Sequence, residues 1–280
     1  MRVLVVGTGG REHALALALS HDPAVTEVHA APGNPGIGEV ATLHPVDLMD
    51  GTAVAALATS IGADLVVVGP EAPLVAGVAD DVRDAGIAVF GPSRAAALLE
   101  GSKTFSKEVM AAAGVPTAGS RTCTTPEEVA AALDAFGAPY VVKDDALAAG
   151  KGVAVTTDRA EALAHAAGCD RVVVEEFLDG PEFSLFVVCD GTVGRPLLPA
   201  QDFKRIFDGG RGPNTGGMGS YAPLTWLPDG IVDTVMSEVV APTLAEMQQR
   251  GAPFVGCLYV GLALTASVPT ITSPVLEPSG

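Results

Sequence analysis

The chain has 280 residues, 48% of them hydrophobic, and its 16 basic and 33 acidic residues give a formal net charge of −17. That length exceeds a usual single domain and predicts two compact units around sizeable cores. The acidic balance argues against nucleic acid or an anionic membrane surface as a partner, and it demands local cations or a metal wherever a polyanion is held. Cys123, Cys169, Cys189 and Cys257 form no CxxC pair and no His/Cys cluster, which predicts a reduced, cytoplasmic protein without structural zinc. The opening MRVLVVGTGGREH reads as a first strand rather than a signal peptide. The late apolar stretch 254–266 falls short of the about 20 residues that a bilayer span needs.

In chain order, RVLVVG, EVHAAP, DLVVVGP and IAVFGP alternate with Ala/Leu-rich helical stretches, a pattern that predicts βαβ units and a parallel sheet over the first hundred residues. Ligands of such sheets bind at the carboxyl ends of the strands, where 7–11, 32–36 and 69–73 are rich in Gly and Pro. SKTFSKEVMAAAG predicts a helix with Ser102 as N-cap and Gly114 at its end; TPEEVAAALDAFG predicts another, with Thr125 as cap, Pro126 at its first position and Glu128 completing a capping box. Strand, glycine loop, strand, helix and strand then make a small α+β unit from about Gly114 to Leu178. An antiparallel pair turns near Asp190-Gly191, an aperiodic loop spans DGGRGPNTGGMGSYAP, a helix covers Ile231–Gln249 and a strand Phe254–Thr265.

GTGGREHA fails as a dinucleotide fingerprint, because Glu12 stands where the third glycine belongs and no acid ends the second strand. Its spacing fits a single-phosphate site on the Gly9 and Gly10 amides and a plain strand-to-helix turn alike. AAGKGV is not a Walker A loop, since Gly152 follows Lys151 and the loop joins two strands. Its run of small residues, with Lys143 on the strand before it, fits close backbone approach to a ligand better than a hairpin tip with a solvated lysine. In VVVEEFLDGPEFS, Glu175 and Glu176 must point to opposite faces; one carboxylate, the backbone at 176–178 and Glu182 suit an adenine and its ribose hydroxyls, although acid-rich strand ends are common. GPNTGGMGS, preceded by Asp202, Lys204 and Arg205, reads as an anion-binding loop, and Met218 and Tyr221 argue for a packed loop over a disordered one. His13 and His165 lie in helical patterns and read as solvated or capping residues.

Together GGREHALA, APGNPG, VVVGPEAPLVAG, LEGSKTFSK, VVKDDALAAGKGV, VEEFLDGPEFS, PAQDFKR and GPNTGGMGSYAP, in that order, resemble the phosphoribosylamine–glycine ligase family of ATP-grasp enzymes in purine biosynthesis. The resemblance implies an α/β fold: an N-terminal Rossmann-like parallel sheet over 1–100, a leading helix and lid subdomain over 101–187, and a partial ATP-grasp core over 188–280. It implies ATP, glycine and 5-phosphoribosylamine as small-molecule substrates, with glycyl phosphate formed from ATP and captured by the amine. It also implies that Lys103 and Lys143 meet ATP phosphates, Gly150, Lys151 and Gly152 form the lid, Glu175, Glu176, Phe177 and Leu178 hold adenine, and Glu182 the ribose. Lys143, Lys204 and Arg205 are then the expected catalytic cations. Gly9, Gly10, Asn34, Glu71, Asp202, Asn214, Thr215, Gly216, Gly217 and Met218 are the expected contacts to ribosylamine phosphate and glycine.

The chain departs mildly from the family at Asp144, Ala146, Phe203 and Gly210, and strongly after residue 265. The family's magnesium-binding Glu and Asn and its phosphate-assisting Arg fall here on Ser273, Val275 and Glu277, so no metal ligand is assigned. ATP carries about four negative charges that magnesium normally bridges. The sequence therefore predicts an incomplete ATP-grasp unit with strongly reduced ligase turnover and an uncovered apolar strand near Phe254–Thr265, favouring instability or association. Ordinary turnover in a coupled ADP assay on the purified chain is the result that would contradict this.

Overall fold

A computed structural model describes residues 1–145, 152–215, 217–265 and 269–273, the side chains of 213, 214 and 269–273 excepted. Two compact units result: Met1–Ala97 with Phe254–Gly256, and the remainder.

The first unit is built on a five-stranded sheet of β1 (Arg2–Gly7), β2 (Glu27–Pro32), β3 (Thr42–Leu43), β4 (Leu65–Val68) and β5 (Ala88–Phe90), in the order β3-β2-β1-β4-β5. All four pairings are parallel, as the alternation of apolar runs and helices predicts. The strand residues bury both faces. Leu4, Val6, Val66 and Val68 enter one core with Val54 and Ala58, while Val3, Val5 and Val67 enter a second with Ala16 and Ile37. That two-sided burial is why the strands read as unbroken Val/Leu runs without alternation.

In the second unit, β6 (Ser120–Cys123), β7 (Tyr140–Asp144), β8 (Val153–Thr156) and β9 (Val172–Glu175) form a four-stranded antiparallel sheet in the order β6-β9-β7-β8. Here the period of two is visible. Val142, Val172 and Val174 go to a core with Val129, Leu133 and Ala162 of the helices Pro126–Phe136 and Arg159–Ala166. Val141, Lys143, Val153, Val155 and Glu175 line the cavity on the opposite face.

The expected caps form. Ser102 Oγ accepts from the Phe105 amide at 3.2 Å, and helix Lys103–Ala113 ends at Gly114 with φ +67°. Thr125 and Glu128 exchange hydrogen bonds at 3.2 Å each, completing the capping box.

Beyond these, β10 (Glu182–Asp190) and β11 (Gly194–Pro196) make the expected antiparallel turn. The stretch read as an aperiodic loop is partly paired: β12 (Gln201–Asp202) with β15 (Ser220–Tyr221), and β13 (Arg205–Phe207) with β14 (Arg211–Asn214). β16 (Val255–Leu264) lies between β10 and β17 (Pro269–Ser273). Leu258, Val260, Leu262 and Ala263 are buried, which corrects the expectation of an uncovered strand; β10 flanks one edge, and β17 pairs antiparallel with Gly261–Leu264 on the other.

The single helix expected over Ile231–Gln249 is instead α-helix Ile231–Val235, a π-turn Met236–Val240 and α-helix Ala241–Gln249. Pro242 supplies the reason, because it has no N–H for the regular ladder and its ring crowds the preceding turn.

Leu133 is fully buried between sheet and helices, so Leu133→Ala removes packing that nothing replaces. Urea denaturation should read a loss of about 2–5 kcal/mol.

Candidate functional site

In the first unit the three Gly/Pro-rich loops meet at the carboxyl edge of the parallel sheet. Arg11 Nη1 donates to the Gly69 carbonyl at 2.6 Å and pairs with Glu71 Oε1 at 2.7 Å. Asn34 Nδ2 donates to the Thr8 carbonyl at 2.8 Å, and its Oδ1 accepts from the Ile37 amide at 2.9 Å.

Glu12, which broke the dinucleotide fingerprint, is buried here and takes the Gly9 amide at 2.6 Å. A Cβ on Gly7 (φ +139°) would stand 2.5 Å from Glu12 Cγ, and one on Gly69 would stand 2.0 Å from its Oε1. The two strand-end glycines therefore make room for a carboxylate, and the Gly9 N–H expected to meet a phosphate is already engaged. Around Gly10 a Cβ would meet nothing within 4 Å, so that end of helix Gly10–Ser20 stays open.

The second unit holds a cavity of about 670 Å³, within the range of small-molecule sites. Val141, Val153, Val155, Phe177 and Leu178 supply an apolar wall; Lys143, Lys204 and Arg205 supply cations. Glu176, Glu182, Asp202 and Met218 also line it. Part of the boundary is a tyrosine held in place: Tyr259 and Ser184 hydroxyls lie 3.1 Å apart, and the Tyr259 ring tilts against Phe186 at 5.3 Å. An apolar slot beside cations suits a flat heterocycle carrying an anionic tail.

Lys143 is placed by strand pairing. On β7 it stands opposite Val173 of β9, one step diagonal from Glu175, which faces Val141. Its Nζ reaches Glu175 Oε2 at 2.9 Å. The other oxygen, Oε1, lies 3.3 Å from Lys107 Nζ, at ion-pair distance but without hydrogen-bond alignment. Lys107 spends donors on Thr117 Oγ1 at 2.9 Å and the Ala118 carbonyl at 3.0 Å.

All three charged groups are buried, Glu175 to 1% exposure. Its carboxylate is thus an ion-pair partner as well as part of the cavity wall. As the period of two requires, Glu176 leaves in another direction, accepting the Gly119 amide at 3.1 Å. Burial pushes Lys107 below the usual lysine value; Glu175 pulls it back up and Lys143 pushes it further down.

Lys103 opens helix Lys103–Ala113 and is buried, its amide donating to the Asp145 carbonyl at 3.4 Å. The Asp145 carboxylate accepts the Thr104 amide at 2.7 Å and pairs with Arg171 at 2.5 Å, tying the helix start to the end of β7. Gly152 closes the ladder by accepting from the Asp144 amide at 2.7 Å and from His165 Nε2 at 3.2 Å. Gly150 and Lys151, expected to form the lid, and Gly216, expected to meet an anion, lie outside the described residues, as does the Asn214 side chain.

Lys204 Nζ lies 3.9 Å from Asp202, and Arg205 donates to the Gly212 carbonyl at 2.7 Å. Thr215 ties the loop back through its amide and hydroxyl, both donating to the Lys204 carbonyl, at 2.7 and 2.9 Å, and Gly217 donates to Thr215 Oγ1 at 3.1 Å. Main-chain bonds and the Tyr221 ring, stacked on Phe203 at 6.0 Å, hold this loop, whereas Met218, expected to pack as well, is 59% exposed.

Reading the residues missed Lys107, Asp145 and Tyr259. Lys107 had one usable signal: it follows Lys103 by four positions and so shares its helix face.

Among the described residues no three His, Cys, Asp or Glu side chains converge as a metal site would require. The positions Val275 and Glu277, and the Ser273 side chain, lie outside the described residues. Among the described residues no helix is long and apolar enough to cross a membrane.

An antiparallel sheet over a cation-walled cleft, set after a parallel-sheet unit, defines an ATP-grasp protein. Residues 1–100 match the N domain of phosphoribosylglycinamide synthetase, and residues 101–276 match its ATP-grasp (A) domain. The chain belongs to the phosphoribosylglycinamide synthetase family. It is 68% identical over 266 residues to phosphoribosylamine–glycine ligase of Streptomyces coelicolor, covering 95% of this chain and 64% of that protein. The crystal structure of the Thermotoga maritima phosphoribosylamine–glycine ligase superposes with a TM-score of 0.84 at 33% identity, over 98% of this chain and 68% of that one. An ADP complex of N5-carboxyaminoimidazole ribonucleotide synthetase shares the fold, with a TM-score of 0.75 at 17% identity over the whole of this chain and 71% of that one. This chain therefore spans less than two thirds of the length of the Streptomyces coelicolor relative.

In the window between its depressed folded value and the ordinary lysine value, Lys107 binds fewer protons folded than unfolded, so its contribution to stability grows with pH. Urea denaturation of wild type and Lys107→Met should show the difference moving in favour of wild type as pH rises toward the ordinary lysine value.

Proposed function

We propose that this chain carries the nucleotide- and substrate-binding parts of an ATP-dependent ligase. It would join glycine to 5-phosphoribosylamine, giving glycinamide ribonucleotide, ADP and phosphate. The observation that carries this reading is the cavity wall in which Lys143 sits on a buried carboxylate beside an apolar slot and two further cations. Family membership narrows the substrates. ATP, when bound, would supply the phosphoryl group that makes glycine's carboxylate acylating.

The roles of the chain's own residues follow from where charge develops. Lys143 and Lys103 would neutralise the phosphates, and the lid around Gly150–Gly152 would exclude water. Main-chain groups at Glu176–Leu178 and the Phe177 and Leu178 side chains would hold adenine, with Glu182 on the ribose. Lys204 and Arg205, beside Asp202 and Thr215–Met218, would hold the anionic substrates. Gly10 and Asn34 of the first unit would help receive the ribosylamine phosphate, with Glu71 among the contacts to the ribosylamine and glycine, Gly9 contributing the turn more than its amide. On this reading 1–100 is the substrate domain, 101–187 the lid with its leading helix and 188–280 part of the core.

Calorimetry should show ATP binding that falls about 10–100-fold in Lys143→Ala, the loss of one charge-assisted contact to phosphate. ADP release should rise above background only when glycine and phosphoribosylamine are both present. Release driven by a different carboxylate and amine sinks the substrate assignment, and absence of ATP affinity sinks the nucleotide site.

A further inference from the structure

We propose that Lys107 is a positioning residue for Lys143: two ammonium groups share the one buried Glu175 carboxylate, so Lys143 can turn toward an anionic ligand while Lys107 keeps that carboxylate compensated. The inference rests on the nucleotide reading above for the identity of the anion, but not for the coupling between the lysines.

The geometry sets up the exchange. Glu175 is 1% exposed, and its two oxygens are divided between Lys143 at 2.9 Å and Lys107 at 3.3 Å. A carboxylate this deep needs a cation at all times, because an unpaired buried charge is among the costliest defects a fold can carry. With Lys143 as its sole partner, drawing that ammonium onto a phosphate would strand the carboxylate, and the ligand would bear the cost.

Lys107 removes that penalty, and the structure anchors it for the task. Thr117 Oγ1 and the Ala118 carbonyl hold its ammonium at 2.9 and 3.0 Å, and neither residue lines the cavity, while Lys143 does. Lys107 is not among the lining residues. One lysine is thus fixed and the other stands at the wall. The remaining charge acting on Lys107 is Glu176, whose attraction adds to that of Glu175. Burial, offset in part by these acids, depresses the Lys107 titration, a sign of how far its charge depends on Glu175.

Two measurements on the full chain test this. The first compares ATP with adenosine by calorimetry. Lys107→Met should weaken ATP about 10–100-fold while leaving adenosine within about twofold, since only phosphates call Lys143 away from Glu175. Lys107→Arg should keep most of the ATP affinity, and Lys107→Met/Glu175→Gln should recover it, because no carboxylate is then left to compensate. The second needs no nucleotide: acetylation of Lys143 by acetic anhydride, followed by mass spectrometry. It should slow several-fold in Lys107→Met, where Lys143 is locked onto Glu175, and keep its wild-type rate in Lys107→Arg.

Equal loss of ATP and adenosine affinity, or a Lys143 acetylation rate indifferent to Lys107→Met, overturns the proposal. If wild type binds neither ligand while Lys107→Met still slows acetylation, the coupling stands and the nucleotide reading is what fails.

Discussion

Glu175 sits at the end of a valine strand with almost no contact with water, and the cavity's chemistry is arranged around keeping it charged. Lys143 reaches it from the neighbouring strand and Lys107 from helix Lys103–Ala113, at 2.9 and 3.3 Å. A buried carboxylate of this kind stabilises little by itself, since desolvation offsets most of the attraction. What it provides is direction: two long, flexible side chains are held to one spot, and one of them faces the cavity. The sheet that carries Glu175 and Lys143 is in turn held by the valines between them, which enter the core with Leu133 and Ala162.

The same economy of charge appears in the first unit. Glu12 is buried over two strand-end glycines and takes the Gly9 amide at 2.6 Å, while Arg11 links the loops by bonding Gly69 and Glu71. An acid in that place is incompatible with a pyrophosphate lying on the turn, which is the physical reason the dinucleotide fingerprint fails here. The overall charge of −17 makes the point more general. Polyanions are repelled by this surface at long range, so any that bind must be met at contact distance by cations such as Lys143, Lys204 and Arg205.

Much of the architecture was legible because it depends on local rules. The Val/Leu runs separated by helical segments required a parallel sheet buried on both faces; Ser102, Thr125, Pro126 and Glu128 marked helix starts by their own hydrogen-bonding capacity; Asp190-Gly191 marked a turn. The cavity residues Lys143, Glu176 to Leu178, Glu182, Asp202, Lys204 and Arg205 were legible because they flank breaks in apolar periodicity. The π-turn was not foreseen, although Pro242 was in view, since periodicity tolerates one extra residue in a helix. In the loop read as packed, Tyr221 stacks on Phe203 but Met218 stays exposed, because an apolar side chain in a sequence does not say whether anything covers it.

By itself, then, the sequence determined the two-unit α/β class, the longer apolar strands and the capped helix starts, the family, and the set of side chains able to meet an anion. Each of these follows from residue type and spacing along the chain. Only the tertiary structure decided which charges meet. Lys107, Lys143 and Glu175 are separated by 36 and 32 positions, and nothing in their local patterns ranks that pairing above others. Strand register brings Lys143 diagonal to Glu175, and helix packing brings Lys107 to the carboxylate's other oxygen. Burial then turns proximity into obligation, because a charge removed from water must find its partner within the fold.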